Sequence, residues 1–364
     1  MIRQLKRITI QIIAGANVAT IVVMLLIGNS DHFDPACHPN LAILGLAFPF
    51  FLFINLAFLV FWLIFKPRKI IIPIVGFILC YQPIRIFFPL NVNRAIPEDA
   101  IKIISYNVYG LRYKQYKDPI NPILQYLLDQ KADIICLQEA GYGKDLRELT
   151  DSMLSPLYPY HDTLATKSNV CDILAVYTKY PIVGKEQIDY HSRSNITAAF
   201  QLLVDHDTVV IINNHLQSIG YTKADKEAFS QIVKGEIKEQ QYAEEESKKI
   251  IDKLKEAAKK RGPQVDSVAN YITKHEGKSI ILCGDFNDSP ISYSRRTLSK
   301  DLIDCFEESG NGMGISYHEK NFYVRIDYIM CSKDWVPYQC HVDGNIDISD
   351  HYPVICWLKK KPNP

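Results

Sequence analysis

The chain has 364 residues, 48% hydrophobic and 22% charged, with a formal net charge of +1. This length exceeds one average domain, and so balanced a charge excludes any bulk electrostatic argument for nucleic acid or an acidic partner. Apolar residues concentrate in residues 8–90, whereas residues 98–360 have the composition of a soluble domain long enough to bury a full core.

In chain order, the first elements are three apolar segments, 8–27, 41–65 and 70–90. About 20 apolar residues cross the hydrocarbon core of a bilayer, so residues 1–90 are read as an all-α transmembrane anchor of about three helices. Arg3, Lys6 and Arg7 also suit a cleaved signal peptide, but no small-residue cleavage site follows and a second apolar run comes soon after. The third segment carries Gln82, Arg85 and three prolines. A re-entrant or interfacial segment is its alternative reading, because an arginine is costly at mid-membrane. Lys66, Arg68 and Lys69 lie between the second and third segments, while the loop at 28–40 has Asp31 and Asp34 and no Lys or Arg. Basic loops stay cytoplasmic. Three crossings then place residues 91–364 on the outer or periplasmic side of a cytoplasmic (inner) membrane.

Residues 91–99 read as a linker. Beyond it, short apolar runs end in polar residues: Ile101–Ser105 before Asn107, Asp133–Leu137 before Glu139, Val209–Ile212 before Asn213 and His215, and Ile280–Cys283 before Asp285 and Asn287. Such runs read as buried strands. Strand ends that repeatedly carry acids, amides and imidazoles suggest one shared site. Pro119–Gln130 and Lys144–Met153 have helical spacing, and Asp172–Thr178 and Thr197–Val204 read as further strands. Lys223–Arg261 is rich in Lys and Glu, with Phe229, Ile232, Val233, Ile237, Ile250, Leu254 and Ala258 at roughly helical intervals. It is read as one long or broken amphipathic helix packed along the domain, with a lid or partner-binding arm as the sharper alternative. Gln264–His275 reads as another helix. The nine cysteines contain no CxxC. Cys136 and Cys283 fall inside strands as small hydrophobes, and a disulfide among Cys331, Cys340 and Cys356 stays open.

Seven motifs then stand in order: Ser105–Leu111, Leu137-Gln138-Glu139, Tyr177–Ile182, Asn213-Asn214-His215-Leu216, Gly284-Asp285-Phe286-Asn287-Asp288, Arg325-Ile326-Asp327-Tyr328-Ile329 and Ser349-Asp350-His351-Tyr352-Pro353-Val354. Together they resemble the endonuclease/exonuclease/phosphatase superfamily, the DNase I-like fold, over residues 100–358. The resemblance implies a four-layer α/β/β/α sandwich with its site at one edge. It also implies a phosphodiesterase that uses Mg²⁺ or Mn²⁺, since a hard cation on oxygen ligands offsets the charge of a phosphodiester. Glu139 is the expected metal ligand, with Asn107 and Asp350. Asp285 and Asn287, two apart after a strand, are expected to orient or deprotonate the attacking water. Asp327 is expected to orient His351, which acts as base or stabilises the phosphate, and His215 to contact the phosphate from the other side. Asn213 is expected in support. His161, His191, His206, His275, His318 and His341 match no motif and read as surface or loop residues. Cys171-Asp172 depart from the small residue many relatives carry there.

Nucleic acid is the favoured substrate, through Arg112, Lys114, Lys117, Lys167, Lys179 and Arg193 with Tyr109, Tyr113 and Tyr116 nearby. A phospholipid headgroup is the alternative, as in sphingomyelinase-like relatives, and a phosphatase follows. From a different class, a catalytically silent membrane scaffold is the remaining reading, disfavoured by the intact motifs.

Overall fold

The computed structural model describes residues 2–111, 121–141, 144–166, 173–237 and 239–362. Arg112, Lys114, Lys117, Lys167, Tyr113, Tyr116, Cys171 and Asp172 lie outside the described residues.

Two six-stranded sheets form the centre. The first is ordered β13 (Trp335–Val342), β14 (Val354–Lys360), β1 (Ile101–Asn107), β2 (Ile134–Gln138), β4 (Ile173–Thr178), β3 (Tyr160–Ala165). The second is ordered β5 (Ile182–Gln187), β6 (Ile196–Val204), β7 (Asp207–His215), β8 (Ser279–Asp285), β12 (Asp327–Cys331), β9 (Ile303–Asp304). A two-stranded hairpin, β10 (Tyr317–Glu319) and β11 (Phe322–Val324), stands apart. Among the described residues only β1–β2 and β7–β8 are parallel, so both sheets are mixed.

Side chains alternate across a strand, and here both faces are buried. Ile103, Cys136, Ile211, Ile281 and Cys283 point between the sheets. Their neighbours point outward: Ile104 and Ile135 pack on Ile123, Leu124 and Leu127 of α6 (Pro122–Gln130). On the other side Val210, Ile212 and Leu282 pack on Val265, Val268 and Ile272 of α9 (Gln240–Lys274). The result is helix, sheet, sheet, helix. It also explains why the strands read as continuous apolar runs rather than alternating ones.

The segment at 223–261 is two helices. The first, α8 (Lys223–Lys234), opens on a Thr222–Asp225 capping box and stops at Gly235, which adopts φ +68°. A left-handed glycine ends a helix without the Cβ penalty. The second, α9, runs on through Pro263 and absorbs the separate helix expected at 264–275.

In the N-terminal region, the helices α1 (Ile2–Gly28) and α3 (Phe48–Phe65) belong to two stretches, Ile2–His32 and Pro39–Phe65, long and apolar enough to cross a membrane. Asn17 bridges them: its Nδ2 donates to Asn55 Oδ1 at 3.0 Å, and its Oδ1 accepts from Trp62 Nε1 at 3.0 Å. Such bonds substitute for the missing hydrophobic drive between helices in lipid. The third apolar segment is α4 (Ile71–Leu79) and α5 (Tyr81–Phe87), bent by 69°. Arg85 on α5 pairs with Glu307 at 3.4 Å and Glu308 at 3.1 Å. These acids belong to α11 (Cys305–Ser309) of the soluble domain, so the guanidinium expected to burden a span sits in an ionic interface instead.

All described cysteines are free thiols. Cys136 and Cys283 are buried, and Cys331 Sγ lies 3.7 Å from Cys305 Sγ.

Candidate active site

Register brings the polar strand ends to one edge. Asn107 pairs with Gln138 across the parallel β1–β2 ladder, which sets Glu139 just beyond Asn107. His215 pairs with Asp285, and Asp285 with Asp327, in the other sheet. Because the sheets pack face to face, Asn107 Nδ2 reaches Glu139 Oε1 at 3.3 Å and Asp285 Oδ2 at 3.2 Å. His215 Nε2 lies 3.8 Å from Glu139 Oε1 and 3.9 Å from Asp285 Oδ2. His351 precedes β14; its Nδ1 is 2.8 Å from Asp327 Oδ2 and its Nε2 is 3.7 Å from Asp285 Oδ2.

The backbone is forced at this edge. Glu139 and Asn287 adopt φ +49° and +52°, conformations that cost about 1–3 kcal/mol each. Gly284 has φ +136°, and a Cβ there would lie 2.0 Å from the Asn214 carbonyl oxygen. Only glycine lets β8 approach β7 so closely before Asp285. Asn287 folds back, its backbone N–H donating to Asp285 Oδ1 at 2.7 Å and its Nδ2 to the Leu216 carbonyl at 3.0 Å.

Burial and crowding set the charges. Burial, then repulsion from Asp327, pushes the Asp285 carboxyl up to about 6, against the pull of His351 and His215. Burial opposes the His351 imidazolium, but Asp327 and Asp285 outweigh it and raise its pKa to about 10. The carboxylate oxygens of Glu139 and Asp285, gathered around the Asn107 amide, are a donor set that suits a hard divalent cation. Ligand atoms of Asp285, Asp327 and His351 lie within 4.8 Å of one another. The side-chain hydrogen bond of Asp350 goes instead to Ser349 Oγ at 3.4 Å.

Comparison with known proteins fits this geometry. Residues 104–351 match the endonuclease/exonuclease/phosphatase family. The chain belongs to that family. Like its members it is a phosphoric ester hydrolase, of a family that generally uses divalent metals. Residues 10–87 match a second family, described as a domain of unknown function. Among solved structures, a humanized TDP2 from D. rerio is 15% identical, with a TM-score of 0.52, over 72% of this chain and 99% of that one. An endonuclease/exonuclease/phosphatase from Beutenbergia cavernae is 14% identical, with a TM-score of 0.51, over 72% of each chain. A family protein from Leptotrichia buccalis is also 14% identical, with a TM-score of 0.51, over 71% of this chain and 100% of that one. At such identities the likeness shows the fold alone, the DNase I-like sandwich already described. No curated protein matches the chain.

The structure thus draws Asn107, Glu139, His215, Asp285, Asp327 and His351 into one cluster, with Asn287 at its rim. Asn213 lies behind it, bonded to Gln138 Nε2 at 2.7 Å and donating to the Leu137 and Ala175 carbonyls across the sheets. Other residues near the family site, Ser349 of the last motif among them, had no expected role. Ser349 Oγ donates to the Asn107 carbonyl at 2.7 Å, and Ser316 Oγ accepts from the Ile326 and Asp327 N–H groups at 3.0 Å. Tyr317 stands edge-on to His351 at 5.0 Å. His318, read as a loop residue, stacks on Tyr352 at 3.7 Å, and its backbone N–H donates to the Asp350 carbonyl.

Proposed function

We propose that this chain is a membrane-anchored phosphodiesterase, dependent on Mg²⁺ or Mn²⁺, whose catalytic domain lies on the outer side of the membrane. The observation that carries the chemistry is the convergence of Glu139, Asp285 and the Asp327–His351 pair within one buried edge. Glu139 and Asn107 are the residues that would hold the metal, which when bound neutralises phosphate charge and polarises the phosphoryl oxygen. Asp350 is the weaker ligand candidate, because the hydrogen bond of its side chain is to Ser349. Asp285, steadied by the Asn287 N–H, orients and deprotonates the attacking water. Asp327 fixes the ring of His351, and an imidazole set between two carboxylates carries a proton. His351 therefore stabilises the phosphate as a cation rather than acting as base. His215, between Glu139 and Asp285, serves the opposite side and protonates the leaving oxygen. Asn213 keeps the two sheets in register beneath these groups.

The anchor supports the orientation. Asp31, in the loop free of Lys and Arg, approaches Arg296 of the catalytic domain at 3.8 Å, and Pro35 of the same loop packs on Gly262 of α9. The catalytic domain thus sits at the end of α1 and α3 away from the basic residues, the end that the charge rule places outside.

The test is turnover of bis(p-nitrophenyl) phosphate by the full chain in detergent. Mg²⁺ or Mn²⁺ is expected to be required, and Glu139→Gln and His351→Ala are each expected to lower kcat about 10²–10⁴-fold. Unchanged turnover in both variants would refute the assignment.

A further inference from the structure

Between the anchor and the catalytic domain lies a cavity of about 530 Å³. Leu46 and Phe53 line it from the anchor, Phe229 and Leu254 from α8 and α9, and Asn287 and Ile326 from the catalytic edge. It is therefore walled by the apolar stripe of the Lys- and Glu-rich helices, which a free catalytic domain would leave to water. The anchor is no loose tether here. A Cβ on Gly45 would lie 1.9 Å from the carbonyl oxygen of Ile291, so the anchor backbone touches the loop that follows Asn287. At its other end the cavity meets the surface of α3 that faces lipid: Phe53 lines it and is still 57% exposed.

An apolar chamber that runs from a membrane-facing helix to Asn287, at the rim of the cluster, suits a hydrocarbon chain. We propose that it receives the hydrocarbon chain of a membrane lipid whose phosphodiester is hydrolysed at the Asp285–His351 edge. This rests on the phosphodiesterase reading and names its substrate class. Water would add to phosphorus as the ester bond to the leaving alcohol breaks. The water oxygen and one proton stay on phosphorus, and the other proton goes to the leaving oxygen. A single-stranded nucleic acid can stack its bases on aromatic walls, but it also needs cations facing its phosphates. The cavity's arginines are turned inward: Arg261 to Asp288 at 3.1 Å, and Arg325 to the carbonyls of Ile86 and Met313. Among the described nuclease cations, Lys179 is held by Asp133 at 2.9 Å.

The test uses the full chain in detergent micelles with Mn²⁺ and two esters sharing one leaving group, p-nitrophenyl methyl phosphate and p-nitrophenyl hexadecyl phosphate. The hexadecyl ester is expected to have the higher kcat/KM by about tenfold or more. Leu254→Trp, which fills the chamber, is expected to lower kcat/KM on the hexadecyl ester about tenfold more than on the methyl ester and so abolish that preference. A second measurement stands apart from catalysis. Wild-type protein in phosphatidylcholine vesicles containing a phosphatidylglycerol with a diazirine at the chain end is expected to cross-link within residues 240–274, and Leu254→Trp to lose that adduct. Equal rates on both esters with cross-links confined to α1 and α3, or cleavage of single-stranded DNA in preference to the hexadecyl ester, would overturn the lipid inference and leave the phosphodiesterase reading standing. If neither ester nor bis(p-nitrophenyl) phosphate is turned over, both fall together.

Discussion

Asp327 Oδ2 lies 2.8 Å from His351 Nδ1, so Nε2 is the ring nitrogen turned toward Asp285, 3.7 Å away. Replacing Asp327 by Asn keeps the shape but removes the charge that makes the imidazolium stable and frees the ring to change tautomer. Asp327→Asn is therefore expected to lower kcat about 10²-fold or more with a smaller change in KM, and to shift the imidazole ¹H–¹⁵N resonances of His351 toward the neutral form. An imidazole that stays protonated in the variant would contradict this role. Much of this cluster was legible in the sequence: apolar runs announce Asn107, Glu139, His215 and Asp285, and Asp327 and His351 stand in motifs that resemble those of the family. Ser316 and Tyr317 were not. Tyr317 opens, and Ser316 precedes, a hairpin with strands of three residues, too short to show periodicity, and their approach to Asp327 and His351 is purely tertiary.

At the scale of elements, the charged segment after β7 shows both the reach and the limit of pattern reading. Its apolar spacing announces helix, but the break at Gly235 depends on one residue taking a left-handed conformation, and the continuity through Pro263 depends on packing against the second sheet. The joint between α8 and α9 is ionic. Asp225 is fully buried, closes the capping box with Thr222, and meets Lys249 at 3.2 Å as well as Lys253. Burial opposes its ionisation, yet the bonds from Lys253 and Thr222 win and hold its carboxyl well below the ordinary range. A carboxyl depressed in the folded state lends stability that is present above its unfolded pKa, about 3.9, and is lost as pH falls toward the folded value. Asp225→Asn is expected to destabilise the protein by about 1.5–3 kcal/mol at pH 7 and to flatten the decline in thermal midpoint below pH 4. An unchanged slope in the variant would show that other carboxylates govern acid lability.

For the molecule as a whole, the informative fact is that anchor and catalytic domain share an interface. Arg85 meets Glu307 and Glu308, Asp31 meets Arg296, and Gly45 abuts Ile291. Composition separates the two regions cleanly along the chain, so their existence was legible. Their docking was not, since each contact joins residues more than 200 positions apart, and an arginine in an apolar segment reads as a cost until its acidic partners are seen. This docking ties topology to function. With α1 and α3 read as spans, the loop at 28–40 and the catalytic edge fall on one side of the bilayer, whatever the bent third segment does. Cys37 lies in that loop and is the one exposed thiol among the described residues, which makes it a native reporter. In right-side-out membrane vesicles, with Cys171→Ser as background, Cys37 is expected to react with a membrane-impermeant maleimide without permeabilisation. A cysteine placed at Arg68, in the basic loop, is expected to react only after it. The reverse pattern would put the catalytic edge inside the cell and remove the outer leaflet as the source of any lipid it cleaves.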